Sequence, residues 1–207
     1  MKLKKFKLTA ALISLLILVG CGSNTKDNLN EKVLVYGSHN YTSINPALYE
    51  HGEINLLLFN GLTAHDENDN IVPCLAESWE YDNENLTYTF NLRKDVKWHD
   101  GEQFTADDVK FTFDTIGNPD NNSEIKTNYE DIKEIQVIDD YTIKFILKNE
   151  NVALLDYLTV GVIPKHILDG QDITTSDFNR NPIGTGPYKL SAWDEGQSIS
   201  LVKNEEY

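Results

Sequence analysis

An α+β fold is what this 207-residue sequence predicts. Two observations carry that reading. Several short segments place apolar residues at every second position and are joined by Asp-, Asn- and Gly-rich turns, so the strands run as hairpins rather than as repeated βαβ units. Only a few segments space apolar residues three and four apart, as a helix with one buried face requires.

The elements follow in order. Residues 33–36 form a short apolar, β-prone run closing at Gly37, which predicts a first strand. Residues 38–46 are a polar loop. Residues 49–59 predict a helix with Ile54, Leu57 and Leu58 on its apolar face, ending near Gly61. Residues 66–70 have turn chemistry and separate two short extended pieces. The clearest strand is 86–92, where Leu86, Tyr88, Phe90 and Leu92 alternate with polar residues. Its expected partner is 77–81, reached through the Asp/Asn turn at 82–85. Thr105 is a helix N-cap, with Asp107 and Asp108 in a first turn whose dipole favours acids. Val109, Phe113 and Ile116 then share one face. Residues 132–138 and 141–147 predict a hairpin about Asp139-Asp140. Residues 152–158 predict a short apolar helix, and Pro164 opens another at its first position. A last hairpin joins 188–193 to 198–202 through 194–197. No internal repeat occurs.

The amino terminus speaks to location. Lys2, Lys4, Lys5 and Lys7 precede an apolar run at 8–19, broken only by Thr9 and Ser14, and the sequence Leu-Val-Gly-Cys closes it. This is the layout of an export signal, too short to span a bilayer. It resembles the lipobox of bacterial lipoproteins. That resemblance implies removal of residues 1–20, lipid on Cys21, and a polar tether at 21–32. An ordinary secretory signal with an incidental cysteine is the competing reading. Loss of the four lysines moves the net charge from −15 to −19. So negative a surface repels phosphate backbones, which excludes a nucleic-acid partner. With Cys21 lipidated, Cys74 has no disulfide partner, and its apolar setting points to an inert, buried thiol.

Chemical motifs are sparse. His39, His51, His65, His99 and His166 are dispersed, without metal-ligand spacing. Gly184-Thr185-Gly186 opens like a dinucleotide fingerprint, but Lys189 stands where the third glycine belongs. There is no Gly-x-Ser-x-Gly elbow. Acidic residues are plentiful, yet no catalytic pair stands out. No cofactor, no metal and no enzymatic activity are expected. Trp79, Trp98 and Trp193 fill the core or stack on a ligand. Residues 99–102 (His-Asp-Gly-Glu) form a tight turn in which Gly101 supplies an unusual backbone angle.

One ordered series of motifs is more specific. Residues 73–113 read PCLAESWEYDNENLTYTFNLRKDVKWHDGEQFTADDVKFTF. Within them stand Leu-Ala-x-Ser-Trp at 75–79, Tyr-x-Phe-x-Leu-Arg at 88–93, Val-x-Trp-x-Asp-Gly at 96–101 and Phe-x-Ala-x-Asp-Val at 104–109. Residues 181–190 (NPIGTGPYKL) and 204–207 (NEEY) continue the series. It resembles the family 5 extracellular solute-binding proteins, the peptide and nickel receptors of ABC importers. The resemblance covers about 33–207. It implies a periplasmic-binding-protein-like fold (type II, large class) that is incomplete, with most of lobe I plus its extra domain and no second lobe. Residues 33–43 and 166–207 would be lobe I, and 44–165 the extra domain. Trp79, Arg93, Asp100, Gly101, Gly184, Gly186, Pro187 and Tyr188 would be structural motif residues. Ser38, His39, Asn40 and Tyr41 would line the ligand cleft. The implied function is capture of oligo- or dipeptides outside the cell for an ABC permease, from a lipid anchor on the outer face of the membrane. Receptors for nickel chelates or other small solutes share the signature. An exported hydrolase and a non-functional truncated fragment are the remaining readings.

Overall fold

The computed structural model describes residues 33–50 and 52–207. The expected signal (1–20), the tether (21–32), Cys21 and His51 lie outside the described residues. The chain divides into two units, residues 1–38 and 39–207. In the first, the strand expected at 33–36 is not formed. Val33, Leu34, Val35 and Tyr36 are 65–90% exposed. A strand is stabilised by its ladder and by packing of its side chains, and β-propensity alone supplies neither.

The second unit runs α1 (Gly52–Leu58), β1 (Thr63–His65), β2 (Ile71–Pro73), β3 (Ala76–Asp82), β4 (Thr87–Leu92), α2 (Ala106–Gly117), β5 (Ile132–Asp139), β6 (Thr142–Leu147), α3 (Leu154–Tyr157), α4 (Lys165–Leu168), β7 (Tyr188–Asp194) and β8 (Ser198–Lys203), with three short 3-10 turns between. Its main sheet is antiparallel, in the order β3-β4-β6-β5. The pairs β1–β2 and β7–β8 form two further antiparallel ribbons.

The alternation in sequence becomes the two faces of this sheet. Tyr88, Phe90 and Leu92 of β4, with Ile143, Phe145 and Leu147 of β6, are buried, while Asn91 is exposed. Onto that face packs α2 through Val109, Phe113 and Ile116, the stripe its spacing predicts. The Phe113 ring meets Phe145 edge-on at 5.1 Å, and Phe145 meets Phe90 at 5.5 Å. Such contacts add about 1 kcal/mol each beyond simple burial. Thr105 is extended as an N-cap should be, and its N–H donates to Asp108 Oδ2 at 3.0 Å. The 82–85 turn is clasped by Asp82, whose carboxylate accepts from Glu84 N–H and from Asn85 N–H and Nδ2.

Three boundaries depart from expectation. The helix expected at 49–59 begins only at Gly52. Upstream, Asn45 claims the backbone: its Oδ1 accepts from Ala47 N–H, and its own carbonyl accepts from Leu48 and Tyr49 N–H. The helix at 152–158 shrinks to Leu154–Tyr157, with Val152 exposed and Asn151 Oδ1 capping Ala153 N–H at 3.0 Å. Pro164 precedes the first turn of α4 instead of opening it, because Lys165 N–H is held from another helix by Asp108 Oδ1 at 3.0 Å.

Candidate functional site

Residues 38–41 are those expected to line a ligand cleft. Ser38 belongs to the first unit. In the second, His39 and Asn40 are exposed, whereas Tyr41 is buried in the hydrophobic core.

Six of the eight motif residues converge on a junction between the 98–102 turn and the 184–188 segment. The turn closes by Gly101 N–H donating to Trp98 O and Trp98 N–H to Glu102 O, both 2.9 Å. Gly101 has φ +96°, a conformation that side chains with a Cβ resist. Trp98 is fully buried, and its indole N–H reaches Asp108 Oδ2 at 3.3 Å. Asp108 thus ties four elements of structure together: its own helix, the Thr105 cap, the Trp98 turn and the start of α4. Burial pushes its carboxyl above the ordinary range, against the three donors that favour the anion. Asp100 accepts from His166 Nε2 at 2.8 Å.

Across the junction, Gly184 and Gly186 lie against the end of α1. A Cβ on Gly184 would stand 1.8 Å from Leu58 O, and one on Gly186 2.5 Å from Leu58 C. Gly186 N–H donates to that same Leu58 carbonyl at 2.9 Å. The Gly-Thr-Gly motif is therefore a backbone-on-backbone contact and not a phosphate cradle. Pro187 O accepts from Asn204 N–H at 2.8 Å, and Asn204 Nδ2 donates to Gly186 O. Tyr188 opens β7 opposite Lys203 and stays 40% exposed.

Trp79 and Arg93 stand apart from this junction. Trp79 packs on Phe90 at 6.2 Å, half-buried as part of the sheet. Trp193 carries the Arg180 guanidinium over its ring at 4.5 Å. Arg93 pairs in bidentate fashion with Asp95, at 3.0 Å for both contacts. It borders an open depression of about 580 Å³ lined by Pro73, Cys74, Glu77, Arg93, Lys94 and Asp95. There Asn60 Nδ2 donates to Cys74 Sγ and to Tyr207 Oη, each at 3.2 Å. Cys74 is half-buried rather than buried as expected, because it lines this open depression, and its partial burial still pushes the thiol up, away from the thiolate that would make it a nucleophile. Among the described residues no group of three or more His, Cys, Asp or Glu side chains could hold a metal ion. Residues that the sequence left unassigned, His99, Lys189, Asn204 and Leu58, complete the junction. His99, Lys189 and Asn204 sit inside the quoted motifs, and that adjacency was the local signal.

The fold recurs in known proteins. Residues 70–207 match the description of bacterial extracellular solute-binding proteins, family 5, in its middle region. The chain belongs to that family. The oligopeptide-binding protein AppA of Bacillus subtilis is 35% identical over 184 residues, covering 84% of this chain and 34% of AppA. The crystal structure of NikZ from Campylobacter jejuni in complex with Ni(L-His) superposes with a TM-score of 0.79 at 44% identity, over 82% of this chain and 34% of NikZ. The structure of Bacillus subtilis AppA with a nonapeptide gives 0.78 at 34% identity, over 83% and 36%. The chain therefore spans about a third of the length of the solute-binding proteins it matches.

Proposed function

We propose that this chain is part of the substrate-binding lipoprotein of an ABC importer, which captures oligo- or dipeptides outside the cell and hands them unaltered to a membrane permease. The family match over 70–207, together with the likeness to peptide-bound AppA, carries the reading. In the proposed arrangement, residues 33–43 and 166–207 contribute to lobe I, and 44–165 form the extra domain. The grouping of β3, β4, β5, β6 and α2 within 76–147 into one sheet-and-helix layer supports that division. Two lobes closing on a hinge would bury the ligand. Ser38, His39, Asn40 and Tyr41 would offer backbone groups to a peptide held as an added strand, whose side chains enter tolerant pockets. The protein makes and breaks no bond. Cys21 would carry the lipid that holds it at the outer face of the membrane.

A nickel-chelate receptor is the second reading, favoured by the 44% identity to NikZ. Native mass spectrometry and elemental analysis of the protein purified from its own host separate the two. Copurified peptide supports the first reading, and stoichiometric nickel with a small chelator replaces it by the second.

A further inference from the structure

One histidine joins the two sides of the junction through both ring nitrogens. His99 Nδ1 accepts from Gly184 N–H at 3.1 Å. That bond leaves Nε2 as the protonated nitrogen, and it lies 3.0 Å from Gly186 O. His99 N–H also donates to Gly184 O at 2.8 Å, and Lys189 Nζ donates to His99 O at 3.0 Å. Only the neutral Nε2–H tautomer satisfies this set. A second proton would sit on Nδ1, pointing at the Gly184 N–H donor.

We propose that His99 is a proton-controlled latch, holding residues 184–186 on the 98–102 turn while neutral and releasing them when protonated. The charges around it come from each neighbouring element. The turn supplies Asp100, whose carboxylate already accepts from His166 of α4. From β7 comes the Lys189 ammonium, which lies 3.8 Å from Glu206 of the carboxy-terminal segment. That segment also gives the neutral Asn204 amide, which shares Gly186 O with His99. The end of α1 presents backbone carbonyls, that of Leu58 being occupied by Gly186 N–H. Burial holds the His99 imidazole below the usual histidine range; the Gly186 carbonyl and Asp100 oppose that and Lys189 reinforces it.

The direction in pH follows. An unfolded chain takes up the proton near pH 6.5, whereas the folded chain resists it to lower pH. The latch is fully engaged above about pH 6.5 and weakens as pH falls toward the folded value. Each unit of depression corresponds to about a tenfold loss in the folding constant. The inference goes beyond the proposed transport function and stands on the junction alone. If the lobe division above also holds, acidification loosens the extra domain from lobe I.

The test combines nitrogen NMR of the imidazoles with urea unfolding of the full chain between pH 5 and 8, for the wild type, His99→Asn and His166→Gln. Asparagine keeps an acceptor near the Nδ1 position and does not titrate. The expected result is the Nε2–H tautomer for His99 at pH 7.5, with titration below the ordinary histidine value of about 6.5. The fall in urea midpoint below pH 6.5 should shrink in His99→Asn and persist in His166→Gln. The Nδ1–H tautomer, or an undiminished fall in His99→Asn, overturns the latch. Should His99→Asn fail to fold, the tautomer and titration of the wild-type ring decide.

Discussion

Substituting Gly184 by alanine is a severe change at a position that looks permissive. Its backbone does not fall in the left-handed region that favours glycine, so the cost is steric. The new methyl would meet Leu58 O at 1.8 Å and Leu58 C at 2.7 Å, both backbone atoms that cannot swing aside as a side chain does. Relieving the clash means parting the 184–186 segment from α1. Overpacking of this kind costs typically about 1–3 kcal/mol. Separation also lengthens the 2.9 Å bond from Gly186 N–H to Leu58 O, worth about 1 kcal/mol more. A loss of about 3 kcal/mol is expected. With a urea slope of about 2 kcal/mol per molar, the midpoint should fall by about 1.5 M. Gly117→Ala is the control. It lies at the end of α2, where an added Cβ meets nothing within 4 Å, and its midpoint should hold or rise slightly. If Gly184→Ala unfolds within about 0.5 kcal/mol of the wild type, the close-approach account of the Gly-Thr-Gly motif is wrong.

Three further outcomes are expected. Asn179→Ala should cost about 2 kcal/mol, because it strips Asn45 Nδ2 of its buried acceptor and Ile173 O of its donor; in a double-mutant cycle with Asn45→Ala the two losses should be clearly non-additive, and simple additivity would contradict the pairing. Iodoacetamide should alkylate Cys74 in the native protein at least about tenfold more slowly than in urea at pH 7.5, accelerating only at alkaline pH, because burial raises its thiol; equal rates would show an accessible thiol. Replacing Cys21 with serine should shift the protein from the membrane pellet to the medium, and retention in the pellet would refute the lipid anchor.

What could be read from sequence was whatever is settled by neighbours along the chain. Alternation in β4 and β6 and the stripe on α2 needed only local periodicity, and each appears as a buried face. The turns at 82–85 and 99–102 were legible because Asp, Asn and Gly fix their own backbones. The expected strand at 33–36 failed for the opposite reason: propensity proposes a strand, but only a ladder makes one. The start of α1 was misplaced because Asn45 answers to Asn179, far away in the chain. Likewise Gly184 and Gly186 were recognisable as a motif, but their reason is contact with Leu58, which no spacing encodes. His99 looked like one of five dispersed histidines, and only the fold brings both its nitrogens to the Gly-Thr-Gly backbone.

The proposal that this protein grips a peptide and releases it unaltered is tested most directly by isothermal titration of defined short-peptide pools into the purified protein, with mass spectrometry of the recovered ligand. Saturable binding at one site, with every peptide recovered intact, is the predicted result. Cleaved peptides, or no heat of binding from any pool, would contradict it.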